Sequence, residues 1–561
     1  MEHIATDLMV KLKAEKKSAN DLQVRKHDDW NENYELYRNK VKTNRLTQRQ
    51  AVNIPLMKET VKTILSKIDD PPNVEWQELT GDEDKEIVYQ EVWDDNFRQT
   101  KLELTDILDK KNVLIYGLSS KKLNIFESGV RIDCLDVYDI VFDPLMSPSD
   151  VETARFIINQ NIFRSVREIL ADDRYTKEGK DALKIWNDSS PGIVQSSDNK
   201  KHWEEKMERL KAMGVGHKDF PLFAGGDRIV SLTEHYTKVW DTKKQKFERR
   251  VIVYAEDTIE LMNEPLEELI GVEFWPFTIW SEDPETTDIY PDSVSDLVRT
   301  PNKVLNVWFS QLVENRTLKN FQMHWFLPSQ GYTPQTYTPG PGVMLPAPPG
   351  EDINKVIKPV EISGLDDTFA AISAITQIVE RGSGATAIEK GQAEKGTQTL
   401  GEVEILVGKA MERTVGMTKF YNMSWYELAW KWDKMMHANA PKFLKLFKSS
   451  RSGKVYPKRV YAGDWKGSYE PIVRSSSEQE QNEIKTLQKF GYITAQNPNN
   501  PVLRKISLKR QLEVLDLSPE ELKQVEQAEE QMAMQPVDSS GQQQMMSDVQ
   551  SRLGELQTLG V

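Results

Sequence analysis

Carboxylates are the commonest chemistry-bearing groups in this 561-residue chain, with 87 Asp and Glu against 73 Lys and Arg. Such groups can hold metal ions for hydrolysis, but a metal centre needs ligands at short fixed spacing. The seven histidines (His3, His27, His202, His217, His235, His324, His437) are scattered, with no pair at ligand spacing and no H-E-x-x-H or G-x-S-x-G. Each reads as a packing or surface histidine. Gly453-Lys454 is followed by Val455 and Gly408-Lys409 by Ala410, so neither makes the phosphate loop that places a hydroxyl on Mg²⁺. Cys134 is the single cysteine, which excludes an intrachain disulfide and a cysteine metal cluster and fits a reducing compartment. The expectation is no catalytic residue, no metal and no cofactor. The runner-up is a metal-dependent DNA-processing enzyme whose carboxylates meet only in the fold.

Two stretches could meet a ligand without reacting with it. Lys442, Lys445, Lys448, Arg451, Lys454, Lys458 and Arg459 fall in a run with no acid from Pro441 to Gly463, interleaved with Phe443 and Phe447. Lys448, Arg451 and Lys454 are candidate phosphate contacts there; a solvated face, or pairing with acidic neighbours in an oligomer, is the plainer reading. From Gly382 to Gly396, Gly382, Gly384, Gly391 and Gly396 alternate with Glu389, Lys390, Glu394 and Lys395, leaving almost nothing apolar to bury. A solvated loop follows.

The elements around that loop have a distinctive order. Thr300 and Pro301 signal a helix start, followed by helical spacing at Val304, Leu305, Val307, Trp308, Leu312, Val313 and Leu318. Lys319 to Ile362 holds eight prolines (Pro328, Pro334, Pro339, Pro341, Pro346, Pro348, Pro349, Pro359), so no long helix forms there. Short extended runs remain at Gln322–Leu327 and Val356–Val360. A second helix restarts at Ser363 with Asp366, places Phe369, Ile372, Ile375 and Val379 on a buried side, and stops at Arg381-Gly382. Thr399 with Glu402 caps a third helix, whose apolar or small residues recur at Val403, Val407, Ala410, Thr414, Met417, Tyr421, Trp425, Leu428, Trp432 and Met435. With no proline until Pro441, a helix from Leu400 to Ala438 is about 58 Å long. A coiled-coil scaffold is a further alternative.

Net charge is -14, with 38% hydrophobic and 29% charged residues, which describes a folded chain and speaks against tight sequestration of DNA by the bulk surface. No 18-residue apolar run and no leader-like opening occurs, so no membrane partner is expected. The first 70 residues read as helical, ending at Asp70-Pro71-Pro72. An extended piece at Val74–Leu79 follows, then one helix from Asp82 to about Asn112 with Ile87, Trp93, Phe97, Leu104, Ile107 and Leu108 on its buried face. From Leu114 the pattern turns to strands: Lys121–Phe126, Val130–Leu135, Tyr138–Phe142 and Arg155–Phe163. A helix at Ser165–Leu170, a loop at Ser189–Lys201, a short helix at Trp203–Met213, a hairpin of Ile229–Trp240 with Phe247–Ala255, and strands Thr258–Met262 and Phe274–Trp280 complete this α+β half. Tyr456, Tyr461, Trp465 and Tyr469 look strand-like. Helices are expected after Ser477 and Ser518, then a loose end around Gln542-Gln543-Gln544.

This order resembles the portal proteins of tailed bacteriophages. Gly117-Leu118, then Val130-Arg131-Ile132 and Asp136-Val137-Tyr138-Asp139-Ile140-Val141-Phe142-Asp143-Pro144, are similar to the family's strand segment ending in an Asp-Pro turn. Leu232–Tyr236 with Arg250–Val253 resembles its strand pair, and Ser293 to Lys319, with Asn306, Gln311 and Asn315, its first stem helix. The resemblance implies an α+β portal fold assembled as a ring, usually dodecameric. Carried over by position, residues 1–290 are the N-terminal wing, 291–318 the first stem helix, 319–363 the clip and 364–381 the second stem helix. Residues 382–399 are the tunnel loop, 400–474 the long wing helix and wing strands, 475–535 the crown and 536–561 a flexible tail.

Double-stranded DNA would pass through the ring during packaging and ejection while a separate terminase supplies the ATPase, in keeping with the missing phosphate loop. Ser383, Glu389, Lys390, Gln392, Glu394 and Lys395 are the implied DNA-facing tunnel-loop residues. Gln330, Tyr332, Gln335 and Tyr337 are the implied docking residues of the clip. Implied partners are further copies of the chain, the terminase large subunit, a head-tail adaptor, and major capsid and scaffolding proteins. The implied location is the portal vertex of the virion, with host cytoplasm during assembly. Pro301 and the Trp203–Met213 segment depart from the family pattern.

Overall fold

The computed structural model describes residues 2–40, 51–68, 71–126, 129–189, 229–241, 244–320, 324–326, 357–360, 367–383, 400–441, 443–449 and 455–474. The chain divides into two compact units, Met1–Ser475 and Ser476–Val561. The expected crown, the tail, the Trp203–Met213 helix and the expected Ser189–Lys201 loop lie outside the described residues, except Ser189, which ends a helix.

Two helices, α1 (Glu2–Tyr37) and α2 (Leu56–Lys67), open the chain, followed by strand β1 (Asn73–Glu78). The single helix expected from Asp82 is two: α3 (Glu83–Gln99), which Asp82 caps by accepting from the Lys85 amide, and α4 (Leu102–Tyr116). Between them Lys101 turns left-handed at φ 54. No glycine or proline marks the break, so sequence punctuation missed it. The buried face also differs: Trp93 is buried, but Ile87, Leu104 and Leu108 are 60%, 56% and 48% exposed. In α4 the inward positions are Leu102, Asp106, Asp109, Lys110, Val113 and Leu114. Helix also persists to Tyr116, two residues past the expected switch to strands.

Then come β2 (Leu118–Phe126), β3 (Gly129–Cys134), β4 (Ile140–Phe142) and β5 (Phe156–Ser165), close to the expected strands. Helix α5 (Val166–Ala171) begins at a capping box of Ser165 and Glu168. A helix that polar spacing had hidden, α6 (Lys177–Ser189), follows. Strands β6 (Ile229–Asp241), β7 (Lys246–Ala255) and β8 (Ile259–Pro265), short helix α7 (Leu266–Ile270) and β9 (Phe277–Ser281) complete this half. Antiparallel pairing orders one sheet β4-β5-β6-β7-β8 and another β3-β2-β9. Side chains on the larger sheet alternate between two cores, as the period of a strand requires. Ile157, Tyr236, Val251 and Val253 join the main core, while Leu12 of α1 packs with Ile252 and Tyr254, and Ala19 with Val141, Phe156 and Ile158.

The order of the second half holds, with shifted ends. Helix α8 runs Val294–Asn320 and contains Pro301, so it starts at Ser293 and not at Thr300. Ser293 and Asp296 form the cap: the Ser293 hydroxyl accepts from the Asp296 amide at 3.2 Å and the Asp296 carboxylate accepts from the Ser293 amide at 2.8 Å. Short strands β10 (His324–Phe326) and β11 (Ile357–Pro359) pair antiparallel and close the proline-rich insert at its base. Helix α9 (Asp367–Ser383) and helix α10 (Leu400–Ala438, 39 residues) follow. Strands β12 (Phe443–Ser449) and β13 (Val455–Tyr461) pair antiparallel; the pairing of the basic run was not foreseen, but Tyr456 and Tyr461 lie in a strand as expected. Trp465, expected in a strand, is buried in short helix α11 (Ala462–Trp465). Strand β14 (Tyr469–Arg474) pairs with β1, joining distant parts of the chain.

Candidate functional site

The candidate site is the pair α8 and α9 with the segments they carry. The start of α8 is locked to the end of α4. Ser295 Oγ donates to the Leu114 carbonyl at 2.8 Å, Ser293 Oγ to the Ile115 carbonyl at 3.2 Å, and Asn33 Nδ2 to Ile115 and to Asp296 Oδ1. Between them Gly117 sits at φ +86, where a Cβ would lie 2.2 Å from the Pro291 carbonyl oxygen. Only glycine fits that approach.

Further along α8, three polar residues one turn apart hold the extended chain that leads into α2. Met57, Ile54 and Val52 amides donate to Asn302 Oδ1 (2.9 Å), Asn306 Oδ1 (2.7 Å) and Ser310 Oγ (3.0 Å). Asn302 Nδ2 returns a bond to the Ile54 carbonyl at 3.1 Å. All three side chains are buried, and their bonds satisfy the buried Met57 amide and the partly buried Val52 and Ile54 amides. Arg299 adds ion pairs to Asp29 at 2.8 Å and Asp296 at 2.9 Å. This anchor holds the helix through Pro301, which removes one backbone donor. Beyond Ser310 no residue of α8 is buried.

Helix α9 packs on α8, and its end meets the start of α8: a Cβ on Gly382 would lie 2.8 Å from Leu297 Cδ2. Its inward side carries Ile372, Ile375 and Val379. Phe369, expected on that side, is 62% exposed, and Ile378 is 55% exposed. From Thr368 to Val379 the helix has no charged residue, so its outward face is Phe369, Ala370, Ser373, Ala374, Gln377 and Ile378.

Helix α10 is seated in the wing-like core from Met417 onward, through Tyr421, Trp425, Leu428, Trp432 and Met435. Its C-terminal end closes an aromatic cluster in which Trp432 lies 4.8 Å from Trp93 and Tyr89 stacks on Tyr469 at 3.9 Å. Tyr89 Oη donates to Asp433 at 2.7 Å. Burial would raise the Asp433 carboxyl, but bonds from His437 and Tyr89 outweigh it and hold the group below its ordinary range. A free coiled coil needs that face, so the core packing removes the scaffold reading from this half of the helix.

Two carboxylates buried in the core, Asp106 and Asp109, are engaged by cations and ring donors. Asp106 pairs with Lys110 at 2.6 Å and accepts from Tyr421 Oη at 2.5 Å. Asp109 accepts from Lys121 Nζ and Trp280 Nε1, both at 2.6 Å. Burial raises the Asp106 carboxyl despite Lys110. Two lysine ammonium groups already sit against these carboxylates, and among the described residues no group of three His, Cys, Asp or Glu is placed to hold a metal. Burial, with Asp109 nearby, also pushes the Cys134 thiol up to about 12, so it stays protonated.

Of the residues singled out by sequence, Ser383 is the last of α9 and half-buried, and Lys448 is a strand residue of β12. Glu389, Lys390, Gln392, Glu394, Lys395, Gln330, Tyr332, Gln335, Tyr337, Arg451 and Lys454 lie outside the described residues. Sequence reasoning missed the Ser293 box and the Asn302, Asn306, Ser310 ladder. The i, i+4, i+8 spacing of Asn302, Asn306 and Ser310 along one face of the helix was the available signal.

No curated protein matches the chain. It is similar to a chain in the virion of a native gene transfer agent particle, at 12% identity and TM-score 0.35, covering 68% of this chain and 78% of that one. It is also similar to a chain in the neck of an empty gene transfer agent particle computed with C6 symmetry, at 12% identity and TM-score 0.36, covering 81% and 90%. The family model described as phage SU10 portal protein matches residues 28–446, so the chain belongs to that portal family, and its role is that of the capsid's portal channel in the virion.

Proposed function

We propose that copies of this chain close into a ring, dodecameric by family habit, whose wall is built from α8 and α9. The observation that carries this reading is the outward face of α9. It is free of charge from Thr368 to Val379 and leaves Phe369 and Ile378 largely exposed. An apolar face held out on an anchored helix pair is stable in water only when covered, and the matching surface of the next copy covers it in a closed ring. The clip at 319–363, with Gln330, Tyr332, Gln335 and Tyr337, docks terminase and later the head-tail adaptor. Ser383, at the end of α9, and Glu389, Lys390, Gln392, Glu394 and Lys395 of the 382–399 segment face duplex DNA as it passes. The crown at 475–535 and the tail at 536–561 complete the subunit, and capsid and scaffolding proteins meet the ring from outside.

The test is electron microscopy of the purified chain. Closed rings with a pore wide enough for duplex DNA are expected; particles that stay monomeric across a wide concentration range overturn the ring.

A further inference from the structure

Two apolar ridges stand bare on either side of the joint between α4 and α10. At that joint Tyr421 Oη donates to Asp106 at 2.5 Å and Lys110 Nζ lies 4.8 Å from the centre of the Tyr421 ring, and all three side chains are buried. Residues two apart on a helix point about 200° away from each other. Leu104 and Leu108 each stand two places from Asp106, and Met423 stands two places from both Tyr421 and the buried Trp425. The leucines therefore face away from the joint on one flank, and Met423 faces away from it on the other. The exposures agree: Leu104 and Leu108 are exposed, Met423 is 68% exposed, and Phe420 beside it is 39% exposed.

A ring repeats one contact head to tail, so a surface on one flank of each subunit must fit a different surface on the other flank. The two ridges meet that requirement in position, and the charges around them meet it in order. On α4, exposed Glu103 precedes the leucines and half-buried Lys111 follows them. On α10, exposed Lys419 precedes Phe420 and Met423; half-buried Glu427, which also pairs with Lys431 at 2.8 Å, follows them. The two charges are eight positions apart on each helix, about 12 Å along the axis. Laid side by side in the same direction, the ridges set Glu103 against Lys419 and Lys111 against Glu427. Laid in opposite directions they set like charges together, which fixes the orientation.

We infer that α4 of one copy packs in parallel on α10 of the next, with Leu104 and Leu108 against Phe420 and Met423. The occupant is a second copy because both halves of the contact, apolar and charged, are carried by this chain on opposite flanks. The contact rests on the proposed ring and is separate from the bare face of α9.

The experiment joins the two ridges covalently. The full-length L108C/M423C chain is assembled, followed by electron microscopy, mildly oxidised and run on a denaturing gel without reductant, beside each single variant. Within one copy the two new side chains face opposite flanks, and the native Cys134 thiol is held protonated, so disulfides form between copies. The expected result is a ladder that climbs from dimer to the full ring in the double variant and stops at dimer or below in the singles. As a measurement that needs no substitution, wild-type rings are built from equal parts of ¹⁵N-labelled and unlabelled chain and treated with a zero-length carbodiimide reagent. It should join Glu103 to Lys419 and Lys111 to Glu427 in mixed-label pairs. Wild-type rings that lack those mixed-label crosslinks overturn the inference and leave the ring standing, as does a double variant that assembles yet gives no ladder. If the double variant does not assemble, the wild-type crosslinks decide. Absence of rings in the wild type overturns the ring itself, and this contact with it.

Discussion

In the core around α4, β2 and α10, charged groups are inside; in the α8–α9 pair, uncharged groups are outside. Lys110, Lys121 and Lys431 are each 1% exposed or less and each has a carboxylate within 3.0 Å, with Lys431 also donating to the Phe277 carbonyl at 2.7 Å. Helix α9 packs one side on α8 and leaves Phe369 and Ile378 to solvent. Buried ion pairs are poor contributors to net stability but costly to break, so they fix which partners meet. A bare apolar helix face does the opposite: it weakens the isolated subunit's case for staying alone. The core around α4, β2 and α10 is therefore complete within the chain, whereas α9 leaves a face that, on our proposal, a neighbouring copy covers.

Four substitutions sharpen or break that contrast, from the largest effect to the smallest. Asp109→Ala strands the Lys121 ammonium and the Trp280 indole in the core, and should cost about 3–5 kcal/mol of wing stability by urea unfolding. A cost under about 1 kcal/mol would mean that the wing interior does not depend on its charges. Asn306→Ala removes the acceptor for the Ile54 amide, with an expected loss of about 1–3 kcal/mol. Hydrogen exchange should localise that loss to residues 51–57 and α8. Ile378→Asp should leave unfolding of the subunit within about 0.5 kcal/mol of wild type, as surface changes do, yet abolish rings. An Ile378→Asp chain that still assembles would remove α9 from the subunit interface.

The fourth concerns pH. Glu282 lies on the segment between β9 and α8, and burial, aided by Asp283 and Asp296, raises its carboxyl to about 8. Its folded pKa lies above its unfolded value, so the folded chain holds the proton more tightly across that interval. The contribution of Glu282 is fully present below the unfolded value near 4.5 and is lost as pH rises through about 8. Glu282→Gln should flatten that decline in a series of thermal melts between pH 5 and 8. Parallel slopes in variant and wild type would place the titration elsewhere.

The same contrast explains which parts of the fold the residues announced. Helix α10 shows its caps, its spacing and its proline stop in the chain itself, and its bounds came out as Leu400–Ala438. The hairpin of β6 and β7 was equally plain, because turn residues and alternation are local signals; the two extended runs flanking the proline-rich insert were visible, but their pairing was not. Helix α4 was misleading for a physical reason. Apolar spacing assigns Leu104 and Leu108 to the core and Asp106, Asp109 and Lys110 to water, and tertiary pairing with Lys121, Tyr421 and Trp280 reverses it. Pro301 suggested a helix start, but the Ser293 box and the asparagine ladder carry α8 through it. At the candidate site, α8 and α9 were visible as elements. Which side of α9 is bare was not, since Phe369 and Ile378 are as apolar as the residues that pack.

The central claim is that α9 is finished by a neighbouring copy while the core around α4, β2 and α10 is finished alone, and hydrogen exchange tests it most directly. Wild-type rings would be compared with the unassembled Ile378→Asp chain, peptide by peptide. The account predicts strong protection of residues 417–438 in both states, and protection of residues 367–383 that rises on assembly. Equal protection of residues 367–383 in ring and monomer would contradict it.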